Sequence, residues 1–114
     1  MEMIDQELRA AFVAALRDPE RKQVRGRLRS GKAMCATGVA CDVYAAAHPD
    51  EAWWENDDTF VFQGETWTHI HPFELEGLAG LNLSGIQVAN DNGRTFAEIA
   101  AKIERGEYDY EEAA

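Results

Sequence analysis

The sequence predicts an α+β domain, mostly α, with four to five helices packed around a central helix at about residues 37–48 and one β-hairpin at about 59–70. Three observations predict it. Apolar residues recur at helical period over 4–16, 39–47 and 96–103, each run bounded by capping or breaking residues. Two short segments rich in β-branched and aromatic residues, 59–62 and 65–70, flank Gln63 and Gly64. The 114 residues are enough for one domain with a modest core, and not for two.

Ile4, Leu8, Ala11, Phe12, Ala15 and Leu16 form one apolar stripe, so a first helix is expected over roughly 5–17 with Asp5 as its cap. Asp18 before Pro19 ends it, because the residue preceding a proline is driven out of helical geometry. Residues 19–33 carry Gly26 and Gly31, with Val24 and Leu28 as isolated apolar anchors; a loop with a short strand at Gly26–Leu28 is the reading. In the central helix Thr37 is the expected N-cap, Val39, Ala40, Val43, Tyr44 and Ala47 form the stripe, and Pro49 closes it. Ala36, Gly38 and Ala40 keep the entry of this helix slim, so a neighbouring segment can approach closely. Residues 50–58 read as an acidic loop with at least one of Trp53 and Trp54 folded back onto the core.

Pro72, Phe73, Leu75 and Leu78 predict a short helix ending near Gly80. Ser84 is the expected cap of another, Gly85–Asp91, with Gly93 as a left-handed stop. Thr95 and Glu98 form a capping box ahead of Phe96, Ile99, Ala100 and Ile103, which run to about Arg105. The domain is thus expected to span 1–105, with 106–114 an acidic flexible tail.

Charge is distributed unevenly. The formal net charge is −10, with +3 over residues 1–33 and −13 over 34–114. Such a surface repels nucleic acid over most of its area and favours basic partners. No apolar run approaches the roughly 18 residues of a membrane span, and no signal peptide opens the chain, so a cytoplasmic protein is expected. Cys35 and Cys41 are six residues apart, roughly 9 Å along a helix axis and on different faces, so both are expected as reduced thiols.

Several segments together resemble a set of small uncharacterised bacteriophage and prophage proteins. They are Ala14–Arg17, Gly26–Arg29, Met34–Asp42, Trp53 with Trp54, Leu78–Leu81 and Asn90–Ala100. The pattern of that set is a Leu-Gly-Val-Leu-Cys-Asp helix followed by Asn-Asp-x-Gly-x-Ser-Phe and an Ile-Ala helix. Here Thr37 and Ala40 stand where the pattern has leucines. The resemblance implies a phage context and carries over no catalytic residue.

Candidate chemistry is sparse. His69 and His71 are expected on one strand face, but structural zinc uses four ligands and no Cys-x-x-Cys spacing is present. Asn90–Gly93 lacks the twelve-residue spacing of a calcium loop. Gly26 to Lys32 matches a phosphate-binding loop through its lysine, after which Ala33 replaces the magnesium-binding hydroxyl. No catalytic constellation, cofactor or metal site is assigned. The reading is a protein acting by protein–protein binding to a basic or nucleic-acid-binding host or phage protein. It could inhibit a host defence or nucleic-acid-processing enzyme, with its carboxylates resembling DNA phosphates. Trp53, Trp54, Glu55, Asp57 and Asp58 form the candidate surface, as aromatics among acids suit an interface; whether the tryptophans instead close a homodimer stays open. The alternative is anion or nucleic-acid binding through Arg21, Lys22, Arg25, Arg27, Arg29 and Lys32.

Overall fold

The computed structural model describes residues 5–72, 75, 78 and 81–109. Among them it contains four α-helices and two three-stranded sheets, an α+β architecture dominated by helix. The elements are α1 (Asp5–Leu16), β1 (Lys22–Gln23), β2 (Arg29–Ser30), β3 (Ala33–Met34), α2 (Ala36–Ala47), β4 (Ala52–Trp54), β5 (Phe60–Phe62), β6 (Glu65–Trp67), α3 (Leu83–Asp91) and α4 (Phe96–Glu104).

α2 is central: it packs against α1, α3, β3 and β4, while α1 and α3 each also meet α4. Phe12, Leu16, Leu28, Val39, Cys41, Phe60, Leu81, Ile86, Ile99 and Ile103 are among the side chains closed off in the common core. The slim entry of α2 has a use. The carbonyl of Leu28 lies so close to Gly38 that a Cβ at residue 38 would sit 1.9 Å from its oxygen. The same carbonyl accepts from the Cys35 amide at 3.1 Å. The helix start is therefore seated directly on the main chain of the 24–28 loop.

The caps differ from expectation at two helices. The N-cap of α2 is Cys35, whose Sγ accepts from the Gly38 amide at 3.2 Å and also contacts the Thr37 hydroxyl at 3.1 Å. The thiol reaches the free amide first, so Thr37 falls inside the helix. In α3 the cap is Asn82, whose Oδ1 accepts from Gly85 at 3.0 Å, two residues before Ser84. The capping box of Thr95 and Glu98 is present as expected, with both reciprocal bonds formed.

Residues 19–34 contain more strand than expected, and not at Gly26–Leu28. β3 is the middle strand, parallel to β1 and antiparallel to β2. Gly26 (φ 79°) bends the chain out of extended geometry, and Gly31 (φ 61°) makes the tight turn between β2 and β3. The acidic stretch is not all loop either. Ala52–Trp54 is an edge strand, pairing Ala52 with Phe62, Trp53 with Val61 and Trp54 with Phe60. The hairpin turn lies at Gln63 and Gly64, both with positive φ, 50° and 85°.

Of the short helix expected at Pro72–Gly80, Phe73, Glu74, Glu76, Gly77, Ala79 and Gly80 lie outside the described residues; Leu75 and Leu78 are buried. Gly106–Asp109 is not a loose tail. Asp109 bridges Leu81, the Tyr108 carbonyl accepts from the Asn82 amide at 2.7 Å, and Arg9 pairs with the Asp109 carboxylate at 2.7 Å. The remainder of the expected tail, 110–114, lies outside the described residues.

Candidate functional site

The loop joining β4 to β5 is shaped by Asn56. Its Oδ1 accepts from the amides of Asp58 at 3.0 Å and Thr59 at 3.1 Å, closing the turn from its own side chain. The Glu55 amide donates to the Thr59 carbonyl at 2.9 Å, and the Thr59 hydroxyl donates to Asp58 Oδ1 at 2.9 Å. With the turn satisfied internally, the carboxylates of Glu55, Asp57 and Asp58 face solvent; the Asp57 side chain is 82% exposed. Glu55 and Asp58 have no ion pair among the described residues.

The two tryptophans of β4 point to opposite sheet faces, as consecutive strand residues must. Trp53 shares its row with Val61 and Thr66 and is 48% exposed. Trp54 shares its row with Phe60 and Trp67 and packs edge-on against Phe60, with ring centres 5.0 Å apart. The Trp54 indole Nε1 donates to Asp42 Oδ1 at 3.1 Å, and Arg21 Nη2 holds the other oxygen of that carboxylate at 3.0 Å. The guanidinium of Arg29 lies 5.1 Å over the Trp54 ring, with its Nη2 3.9 Å from Asp57. The structure thus separates the expected interaction set: Trp53, Glu55, Asp57 and Asp58 border solvent, and Trp54 is bound into the seam beneath them.

The basic segment divides likewise. Arg21 and Arg29 are engaged by Asp42, Asp57 and Trp54. Lys22, Arg25, Arg27 and Lys32 are exposed and have no ion pair among the described residues. Arg25 lies beside Gly93, where a Cβ would come within 3.1 Å of its Nη2. The phosphate-loop likeness does not extend to geometry. The amide of Leu28 is bonded to the Thr68 carbonyl at 2.8 Å and that of Gly31 to the Asp57 carbonyl at 3.2 Å, so neither is open to a phosphate. The second bond also seats the tip of the β2–β3 hairpin against the acidic loop.

The other candidates resolve into structural parts. Cys35 and Cys41 are free and buried, and burial pushes both thiols above their ordinary value, Cys41 well above. His69 is exposed and His71 buried, both beyond the end of β6, so they share no strand face. Among the described residues no three His, Cys, Asp or Glu side chains gather as metal ligands. A cleft of about 240 Å³ between α1 and α2 is lined by Ala11, Val43, Ala46 and Ala47, with the Arg21–Asp42 pair at its side.

The Asn90–Gly93 motif has a role that spacing alone did not reveal. Asn90 is fully buried, and its Oδ1 accepts from the Ala36 amide at 3.0 Å and from Gln23 Nε2 at 2.7 Å. Its Nδ2 donates to the Val24 carbonyl at 3.0 Å, and neighbouring Asp91 accepts from the Gly26 amide at 3.1 Å. This latch fastens the 23–26 loop to α3 and to the start of α2. A signal was present: Asn90 falls in phase with Leu83 and Ile86, so a polar side chain sits on the apolar stripe of α3.

No helix among the described residues is long and apolar enough to cross a membrane. No curated protein and no solved structure matches the chain. A family model described as Domain of unknown function (DUF8296) matches residues 4–84, which include α1, both sheets, the central helix and the whole candidate surface. With well over half of its length matched, the chain belongs to that family.

Proposed function

We propose that this is a small acidic phage-type protein that works in the bacterial cytoplasm by binding a basic host or phage protein. The observation that carries the reading is the acidic face around β4, where Glu55 and Asp58 have no ion pair among the described residues. There a half-exposed tryptophan borders three solvent-facing carboxylates, on a chain of net charge −10. A field of one sign speeds encounter with a basic partner, and a large aromatic at its centre supplies apolar area on contact. In the concrete form, the partner is a host defence or nucleic-acid-processing enzyme, and the carboxylates occupy the positions that DNA phosphates take on it.

The test is capture from nuclease-treated bacterial lysate on the tagged protein, beside a variant carrying Glu55→Lys, Asp57→Lys and Asp58→Lys. One stoichiometric basic protein that leaves at high salt, and that the variant does not retain, is the expected result. Equal retention by both proteins, or an empty lane, overturns it. A second reading rests on Lys22, Arg25, Arg27 and Lys32, which are exposed without internal ion pairs among the described residues. Salt-dependent binding of a labelled oligonucleotide, abolished by Arg25→Ala with Arg27→Ala, is its result.

A further inference from the structure

We infer that the Trp53 face is an arginine-binding site, filled by a guanidinium from a basic segment of the partner protein. The inference rests on the binding reading above and names the chemistry by which the partner is held.

The argument starts from the neighbouring residue. On the inner face of the same strand, Trp54 is served by a cation from its own chain. The Arg29 guanidinium lies 5.1 Å from the ring centre, and Asp57 stands 3.9 Å from Arg29 Nη2. A planar guanidinium over an indole, with a carboxylate at its edge, joins ring-face attraction to charge pairing. On the outer face, Trp53 presents the same elements without the cation. Its indole is 48% exposed, and no cation lies over it among the described residues. Glu55 follows at the next position on that face, because its amide continues the ladder to the Thr59 carbonyl. Val61 stands opposite Trp53 in that row, and Thr66 lies one strand further across. Asp58, within the turn, adds a second carboxylate without an ion pair among the described residues.

Arg29, which serves Trp54 on the other face, is already committed, held by Trp54, Asp57 and the Gly31 carbonyl, the last at 2.7 Å. The cation for Trp53 therefore comes from another molecule. Arginine fits better than lysine because its flat group stacks on the indole while still reaching a carboxylate through its edge donors. The surrounding negative charge selects a segment with several cations over an isolated one.

The probe is a blocked peptide of alternating arginine and glycine, compared with the same peptide carrying citrulline, which keeps the shape and removes the charge. Binding is followed by calorimetry and by the indole N–H signals of the full-length protein. The expected result is that the arginine peptide binds, the citrulline peptide does not, and the Trp53 signal shifts more than that of Trp54. Trp53→Leu, which keeps an apolar side chain but removes the ring face, is expected to weaken binding about two- to five-fold, the size of an exposed cation–π contact, while Trp53→Tyr retains most of it. Because Trp53 is half exposed, both variants are expected to melt with the parent. Unchanged affinity in Trp53→Leu overturns the inference, and so does a bound peptide that leaves the Trp53 signal still, or no peptide binding at all. If the peptide fails while the lysate capture still yields a basic protein lost from the triple charge variant, the binding reading stands and the arginine site falls. An empty capture lane sinks the binding reading itself.

Discussion

The two small sheets are built from similarly short strands, yet they use their charges in opposite ways. In and beside the β1-β3-β2 sheet, Arg21, Gln23 and Arg29 are turned inward, although Lys22 stays exposed. Gln23 donates to Asn90 and to the Arg94 carbonyl, and its Oε1 accepts from the Phe96 amide at 3.2 Å. Arg21 and Arg29 lie against carboxylates from other segments. In the β4-β5-β6 sheet, the inner face joins the core, and the outer face and the following turn leave Trp53, Glu55 and Asp58 to solvent. The difference teaches that a charge run in a sequence is not one object. Half of it can be mortar between elements and the other half free surface, and only the second kind is available to a partner. Substitutions sharpen or break this contrast. They are expected to cost stability on the first side and binding on the second.

The largest effect is expected at the contact beneath the first sheet. In Gly38→Ala, a methyl group must displace the Leu28 carbonyl, which is backbone and is tied through its own residue to Thr68 and Cys35. A loss of about 3 kcal/mol or more is expected, at the upper end for overpacking. It is measured as a shift in the urea midpoint at unchanged slope. A loss under about 1 kcal/mol would mean that α2 does not sit on that carbonyl.

Next comes the latch. Asn90→Ala strands the Ala36 amide and the Val24 carbonyl inside the protein, together with one bond to Gln23. A cost of about 3 kcal/mol follows from leaving buried polar groups unpaired. Hydrogen exchange at the start of α2 and in residues 23–26 should rise together. Exchange confined to α3 would show that the latch does not couple the two.

The thiols place a pH limit on the same region. Burial raises both cysteines, so the folded protein holds them neutral where the unfolded chain ionises near its ordinary value of 9.0. This contribution is fully present below pH 9 and is lost as pH climbs from there through the higher folded values. The urea midpoint should therefore fall above pH 9, and by less in a Cys41→Ala variant, compared with its own value at neutral pH. An identical fall in parent and variant would assign the alkaline loss to other groups.

Much of the helical frame is legible in the sequence because its signals are local. The stripes of α1, α2 and α4, the capping box at Thr95 and the turn at Gln63 and Gly64 each depend on residues within a few positions of one another. What is hidden depends on distant partners. The two-residue strands of the first sheet have no periodicity to read, and Lys22 finds Ala33 only through the tertiary fold. β4 is masked by its acidic neighbours, although Trp53 and Trp54 are good strand formers. Cys35 takes the cap that Thr37 was expected to hold because its thiol stands in reach of the Gly38 amide, and cysteine is not a residue favoured at that position. The candidate surface is half legible. Its composition names Trp53, Trp54, Glu55, Asp57 and Asp58, but only the pairing register tells that Trp54 faces Asp42 and Trp53 does not.

The smallest expected change is also the most informative about that surface. Glu55→Lys with Asp58→Lys alters two exposed carboxylates, and among the described residues no ion pair is lost with them. Asp58 does accept the Thr59 hydroxyl, yet the turn itself is closed by Asn56 and remains. The substitutions also lower the net negative charge and with it the self-repulsion of the folded state. The two small terms oppose each other, and stability should stay within about 0.5 kcal/mol of the parent, the usual range for surface changes. Partner capture should nevertheless be lost, because the field that favours encounter is reversed where Trp53 makes contact. Binding lost at constant stability is what separates free surface from mortar. If the double variant instead melts well below the parent, these carboxylates belong to the fold as much as Asp42 does, and the contrast between the two sheets disappears.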